Sequence, residues 1–173
     1  MLMADVLAVF FVVVGLLLAH LGVWLLSRGL WLGHVERAEK QVSERLVLTL
    51  LAGIPPTAVA FVVAIVLAKL GGGPGKALAA LLGSGFLLFA HAGLSGAILH
   101  VGRRLGTSTD TPWRSMFRGG VAVALAYAFP ILGWFVLLPA SILLGAGASL
   151  IAVFRGLLAR SPAPQQRTLG VAS

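Results

Sequence analysis

The chain has 173 residues, of which 59% are hydrophobic and only 10% charged, and its mean hydropathy is +1.03. Soluble domains carry about 45–50% apolar and about 25% charged residues, so an ordinary soluble domain is excluded, and so is a disordered chain, which needs low hydrophobicity. The 13 Lys and Arg against 5 Asp and Glu leave a net +8 on a nearly uncharged body, too sparse for a nucleic-acid surface, and the absence of Cys removes disulfides, thiol catalysis and Cys-based metal sites.

The expectation is an all-α, polytopic integral membrane helical bundle. Uncharged apolar runs of about 20 residues are long enough, as helices, to cross a hydrocarbon core of about 30 Å. The first such run is residues 6–27, which follow Asp5 rather than a basic segment and exceed the length of a signal-peptide core, so it reads as a retained span. Residues 35–45 read as a short connecting helix. Glu36 and Lys40 are spaced for an i,i+4 pair, and Val35, Ala38 and Val42 share a face that is either a partner-docking surface or a solvated connection. The second span is 46–68, with a kink expected at Gly53-Ile54-Pro55-Pro56, where proline removes helical donors. Gly71-Gly72-Gly73-Pro74-Gly75-Lys76 lacks the residues and the preceding strand of a phosphate-binding loop, and reads as a flexible turn into the third span, 77–101.

The last apolar region, 119–154, would be about 54 Å long as one helix, nearly twice the hydrocarbon thickness. Pro130-Ile131-Leu132-Gly133-Trp134 suggests a turn within it, with Pro130, Gly133 and Trp134 as the turn residues. The expected fold is therefore three full spans plus a C-terminal hairpin of arms 116–129 and 134–154. That makes about five membrane segments in one domain over residues 1–160, with a flexible cytoplasmic tail at 161–173.

Charge placement supports that count. With the N-terminus outside and the C-terminus inside, every Lys and Arg except Lys69 and Lys76 falls on the cytoplasmic side, as the positive-inside rule demands. Trp31, Trp113 and Trp134 fit as interfacial anchors. Among the basic residues, Arg103, Arg104, Arg114 and Arg118 cluster next to the membrane, where each can attract anionic headgroups by about 1 kcal/mol.

The spans contain no Asp or Glu, so they offer neither a carboxylate pair for acid–base work nor an acid to orient a catalytic histidine. No enzymatic activity is expected. His20 and His91 each lie about 21 Å into their spans and share one depth, which makes them candidate axial ligands of a b-type haem; His34 and His100 lie nearer the inner edge. The alternative for each histidine is a hydrogen bond to a neighbouring helix, and no cofactor is the primary expectation. Ser141, Gly145 and Ser149 recur every four residues, and small residues also line the third span at Ser84, Gly85, Ala92, Ser95 and Gly96. Such stripes pack helices within one chain or between copies, so a homo-oligomer through Ser141, Gly145 and Ser149 is a candidate.

Gly102-Arg103-Arg104-Leu105, Arg118-Gly119, the Pro130–Trp134 run and Gly145-Ala146-Gly147-Ala148 together resemble the membrane-embedded tail of bactofilin-like polymer-forming proteins and related uncharacterised bacterial membrane proteins. The resemblance covers residues 102–155. It implies a membrane-anchoring or scaffold module and assigns no catalytic residue. The chain departs from that family in having no glycine-punctuated strand repeat, so polymer formation is not carried over.

The leading expectation is a non-enzymatic scaffold of the bacterial inner membrane, with a homo-oligomer as a candidate state, presenting its basic face to anionic lipids and to an envelope or cytoskeletal protein partner, with no nucleic-acid role. The alternatives are a small oligomeric channel or transporter, and a haem-binding membrane subunit.

Overall fold

The computed structural model describes residues 2–107 and 109–158; the expected tail at 161–173, with the last residues of the 1–160 domain, lies outside the described residues. Within them every regular element is helical. In order these are α1 (Leu2–Leu30), α2 (Leu32–Ala52), α3 (Ile54–Leu70), α4 (Gly72–Arg104), α5 (Pro112–Tyr127), the single turn α6 (Pro130–Leu132), a π-helical turn at Gly133–Leu137, and α7 (Leu138–Leu158). Four stretches are long and apolar enough to cross a membrane: Met3–Leu30, Leu32–Leu70, Gly72–Arg104 and Gly133–Leu158. Helix α5 has 16 residues and rises about 24 Å, short of the roughly 30 Å hydrocarbon core.

The burial pattern is the reverse of a soluble protein's. Large side chains such as Phe11, Phe61, Leu81 and Phe135 point outward, while the interior is rich in Ala, Gly and Ser. Lipid tails are as apolar as leucine, so burying leucine gains little there; small residues instead let backbones approach and make dispersion contacts. Helix α4 is the hub, packing against α1, α2, α3, α5 and α7. A methyl group added at Gly93 would overlap the carbonyl of Gly145, one at Gly102 that of Ser115, and one at Gly119 that of Ile98. At Gly96 it would press on the Ala38–Glu39 backbone, and at Gly53 and Gly147 it would drive α2 and α7 apart.

Several sequence expectations change. Residues 35–45 are not an exposed connection: Val35, Ala38 and Val42 are buried within α2 against the rest of the core, which removes their face as a docking surface. Glu36 does not pair with Lys40; the i,i+4 pair is Lys40–Glu44 at 3.9 Å. The break in α2 falls at Arg45 (φ −146°, ψ 58°) rather than at the prolines. Pro55 and Pro56 occupy the first turn of α3, where a missing N–H costs least, and Gly53 keeps right-handed helical angles. Thr57 Oγ1 donates to the Gly53 carbonyl there at 2.7 Å. The glycine-rich segment 71–75 is a tight reversal rather than a loose loop: Gly72 has φ +56°, and Gly75 abuts the Leu67 carbonyl.

The chain after α5 turns at Ala128–Phe129, before Pro130 rather than at Gly133-Trp134, and Gly133 and Trp134 already belong to the π turn. Gly133 serves the reversal by close approach, because any side chain there would meet the Ala126 and Tyr127 carbonyls. The two arms diverge from this point. Helix α5 packs on α1 and α4, and α7 packs on α2 and α4.

Replacing Gly93 or Gly102 by Leu should lower stability by about 1–3 kcal/mol or more, the usual cost of overpacking, with Gly83→Leu, which faces open space, as the neutral control. Thermal unfolding in detergent, followed by loss of the monodisperse elution peak, measures this; equal tolerance at all three positions would contradict the backbone contacts described.

Candidate functional site

Two histidines, a tryptophan and a tyrosine of the spans meet at one place. Helix α1 carries His20 and α4 carries His91, and their ring centroids stand 5.2 Å apart with the planes tilted by 46°. Around them, Trp24 lies 5.9 Å and Tyr127 6.3 Å from the His20 ring, both edge-on. The Tyr127 hydroxyl donates to Ser141 Oγ at 2.5 Å, which in turn donates to the Leu137 carbonyl. The π turn therefore ends where α7 begins to face this group, a common location for such turns.

The proton positions follow from the partners. His20 Nδ1 is 2.7 Å from the Leu16 carbonyl and His91 Nδ1 is 2.8 Å from the Leu87 carbonyl. A carbonyl only accepts, so in each ring Nδ1 carries the hydrogen. In the neutral form each Nε2 is then a bare acceptor, among the described residues nothing donates to either one, and neither is a fully buried atom. His34 is the opposite case. Ser149 Oγ donates its one hydrogen to the Phe89 carbonyl at 2.6 Å, so His34 Nε2, 3.1 Å away, must be the donor to Ser149. His34 is thus satisfied within the fold, joining α2, α4 and α7, and no ring contact links it to His100 among the described residues.

Two cavities flank the histidine pair. One, of about 200 Å³, is bounded by Tyr127, Leu94, Leu138, Ser141 and Ile142; the other, of about 360 Å³, lies among Leu16, Val23, Ser84 and Leu88. His20, Leu87 and His91 line both, so the pair forms the wall between them.

The haem expectation for His20 and His91 does not fit this geometry. Trans ligation of one iron, with metal–nitrogen bonds of about 2.0 Å, sets the ring centres roughly 6 Å apart on opposite faces of a porphyrin. The two rings stand closer than that, at 5.2 Å and tilted by 46°, so the pair as folded does not frame a porphyrin. No group of three or more His, Asp or Glu side chains that could hold a metal ion occurs among the described residues.

The small-residue stripe is occupied inside the chain. Gly145 lies against the Ala90 carbonyl, Ser141 holds Tyr127, and Ser149 binds Phe89 and His34. Those three residues are a seam between α7 and its neighbours, not a free face for a second copy. The basic cluster is likewise partly neutralised: Arg103 pairs with Glu39 at 2.7 Å, while Arg118 and Arg114 share Asp110 at 2.6 and 3.6 Å. Asp110 also accepts from the Thr107 backbone N–H, which together with Arg118 holds its carboxyl below the usual aspartate range.

Two features escaped the sequence reading. Tyr127 is the only tyrosine in the chain, and that singularity in a span was the one signal available. Arg28, which reads as a connecting-loop charge, is buried at 4% exposure, its guanidinium 5.8 Å from the Trp113 ring centre and its Nε and Nη1 without hydrogen-bond partners. No protein-family model, curated protein or solved structure matches this chain, and the resemblance of residues 102–155 to bactofilin-like membrane tails finds no counterpart there.

Because the Asp110 carboxyl titrates lower in the folded chain than in the unfolded one, its contribution is complete above about pH 4 and disappears as pH falls through the depressed value. Hydrogen exchange should show the Thr107 amide protected at neutral pH and released below that range, whereas Asp110→Asn should weaken the protection at every pH. Unchanged protection in the variant would show that the carboxylate does not hold this turn.

Proposed function

We propose that this chain is a small multi-pass carrier or channel, in which the His20–His91 pair is the point that a bound or passing species must meet. The observation that carries this reading is the shared wall: the same two rings bound both cavities and keep acceptor nitrogens that nothing in the fold uses. Polar groups left unpaired inside a membrane bundle are costly, and their usual use is a substrate or proton pathway. No enzymatic role enters the proposal.

The scaffold reading loses support in comparison. The helix face at Val35, Ala38 and Val42 and the stripe at Ser141, Gly145 and Ser149 are both used in packing. What remains for it is the basic end of the bundle, where Arg104 has no ion pair among the described residues and Arg114 is well exposed. Attraction of this end to anionic lipid is compatible with either reading, and the resemblance to bactofilin-like tails supports only the anchoring part.

The proposed setting is the bacterial inner membrane, with five segments, the N-terminus outside and the C-terminus inside. Its support is the charge distribution: only Lys69 and Lys76 lie at the α3–α4 reversal, and the other described Lys and Arg lie elsewhere along the chain at the expected inner connections.

The chain has no Cys, so single cysteines report topology on a clean background. Lys76→Cys should react with a membrane-impermeant maleimide from outside intact spheroplasts, and Arg104→Cys only after lysis; the reverse pattern would invert the orientation. For function, proteoliposomes holding a pH-sensitive dye should show proton or ion flux above protein-free vesicles, reduced at least tenfold by His20→Phe or His91→Phe. Flux equal to that of empty vesicles would remove the carrier reading.

A further inference from the structure

The histidine pair also identifies the chemistry of what it holds. Each ring has spent its one hydrogen on its own helix, at Leu16 and Leu87. The site therefore offers two lone pairs, on rings 5.2 Å apart, and supplies no hydrogen to either. Such a pair binds something that brings hydrogens or positive charge. A divalent cation matches poorly, since the apolar spans contain no carboxylate to balance it and an unbalanced charge in a low-dielectric interior is expensive. A neutral molecule with a hydroxyl donor satisfies a nitrogen of the pair without that cost.

The surroundings narrow the class further. The smaller cavity beside the pair is lined by Leu87, Leu94, Leu138 and Ile142 with the ring of Tyr127, and Trp24 stands edge-on to His20. Its volume of about 200 Å³ exceeds the roughly 150 Å³ cavity that accommodates benzene, which is room for one substituted ring. Edge-on aromatic neighbours favour another aromatic ring. The second cavity is flanked by side chains of α1 and α4, among them Leu16 and Leu88, the latter 60% exposed on the outer, apolar surface, so the pair is reached from the lipid phase.

We propose that His20 and His91 form a binding site for a lipid-soluble phenolic ligand of the hydroquinone type, with one ligand O–H donating to an Nε2 atom of the pair while the para hydroxyl points away along the cavity. The identification deepens the carrier reading of the same site and rests on it only for the site being a ligand site. Binding makes and breaks no covalent bond. Because the oxidised quinone has carbonyls where the hydroquinone has hydroxyls, it would set acceptor against acceptor, so the site prefers the reduced form.

The test uses the full chain in nanodiscs under anaerobic conditions, titrated with tetramethylhydroquinone and followed by calorimetry and tryptophan fluorescence. The expected result is saturable binding of one ligand per chain. The dimethyl ether of the same compound, equal in ring and substituents but without O–H, should bind at least tenfold more weakly, and so should tetramethylbenzoquinone. His20→Phe combined with His91→Phe, which keeps rings of similar size but removes both acceptors, should weaken hydroquinone binding to the level of the ether while leaving helicity unchanged. The ether comparison needs no variant, so misfolding of the double variant would not rescue or sink the idea. Equal affinity for hydroquinone and ether, tighter binding of the quinone, or no binding overturns the proposal. It is equally overturned if Zn2+ or Cu+ binds through both histidines and the hydroquinone does not. Histidine-dependent ion flux without hydroquinone binding would leave the carrier reading standing and remove this one; hydroquinone binding without flux would do the opposite.

Discussion

Everything in this fold depends on how closely other backbones can approach α4. In a bilayer the large apolar side chains gain little by turning inward, so what holds the bundle is dispersion between closely spaced main chains and a few internal hydrogen bonds. Gly93, Gly96 and Gly102 give α4 bare backbone at successive levels, met by Gly145 of α7, by Ala38 and Glu39 of α2, and by Ser115 of α5. Contact is reciprocal: Gly119 and Gly145 in turn admit the Ile98 and Ala90 carbonyls. One helix with side-chain-free patches on several faces can be surrounded, and α4 is.

That hub decides what happens to the polar groups. Helices drawn this close bring Ser149 within reach of the Phe89 carbonyl across the α4–α7 seam and let His34 complete the junction. On the α1 side the approach is looser, and the residues at that level are large: Trp24, His20, His91 and Tyr127. Bulky rings hold the helices apart there and leave cavities beside them. The tight seam and the open site are two consequences of the same distribution of residue sizes along α4.

Much of this was legible in the chain, for identifiable reasons. Long uncharged apolar runs fix where helices can cross, and the runs at 6–27 and 77–101 fall inside α1 and α4. Equal depth of His20 and His91 follows from counting residues along two helices, but their contact does not, since the rotation of each helix about its axis is set by packing. The face of α2 at Val35, Ala38 and Val42 was readable as apolar, while its burial depends on Gly96 in a distant helix. Small residues announce a close contact without saying with what. Ser141, Gly145 and Ser149 could serve a second copy or this one, and only the position of α4 and Tyr127 decides it. The turn was misplaced by a few residues because Gly133 in Pro130–Trp134 signals close approach as much as reversal; it sits against the last turn of α5 while the chain bends at Ala128–Phe129.

The placement of charge explains why the histidine pair is left to a neutral partner. Glu39 and Asp110, the acids nearest the core, are taken by Arg103, Arg114 and Arg118 at the end of the bundle where α4 stops and α5 begins. Arg28, buried with two unpartnered nitrogens, lies over the Trp113 face and feels Glu36 and Glu39 at a distance without an ion pair to either. The described anionic side chains are therefore committed elsewhere or exposed, and none faces His20 or His91. A cation held at rest between the two rings would have no counterion, whereas a hydroxyl donor meets an acceptor already fixed in orientation by Leu16 or Leu87. Because each Nδ1 hydrogen bond is made within its own helix, each ring's orientation is fixed by that helix rather than by its packing against the other.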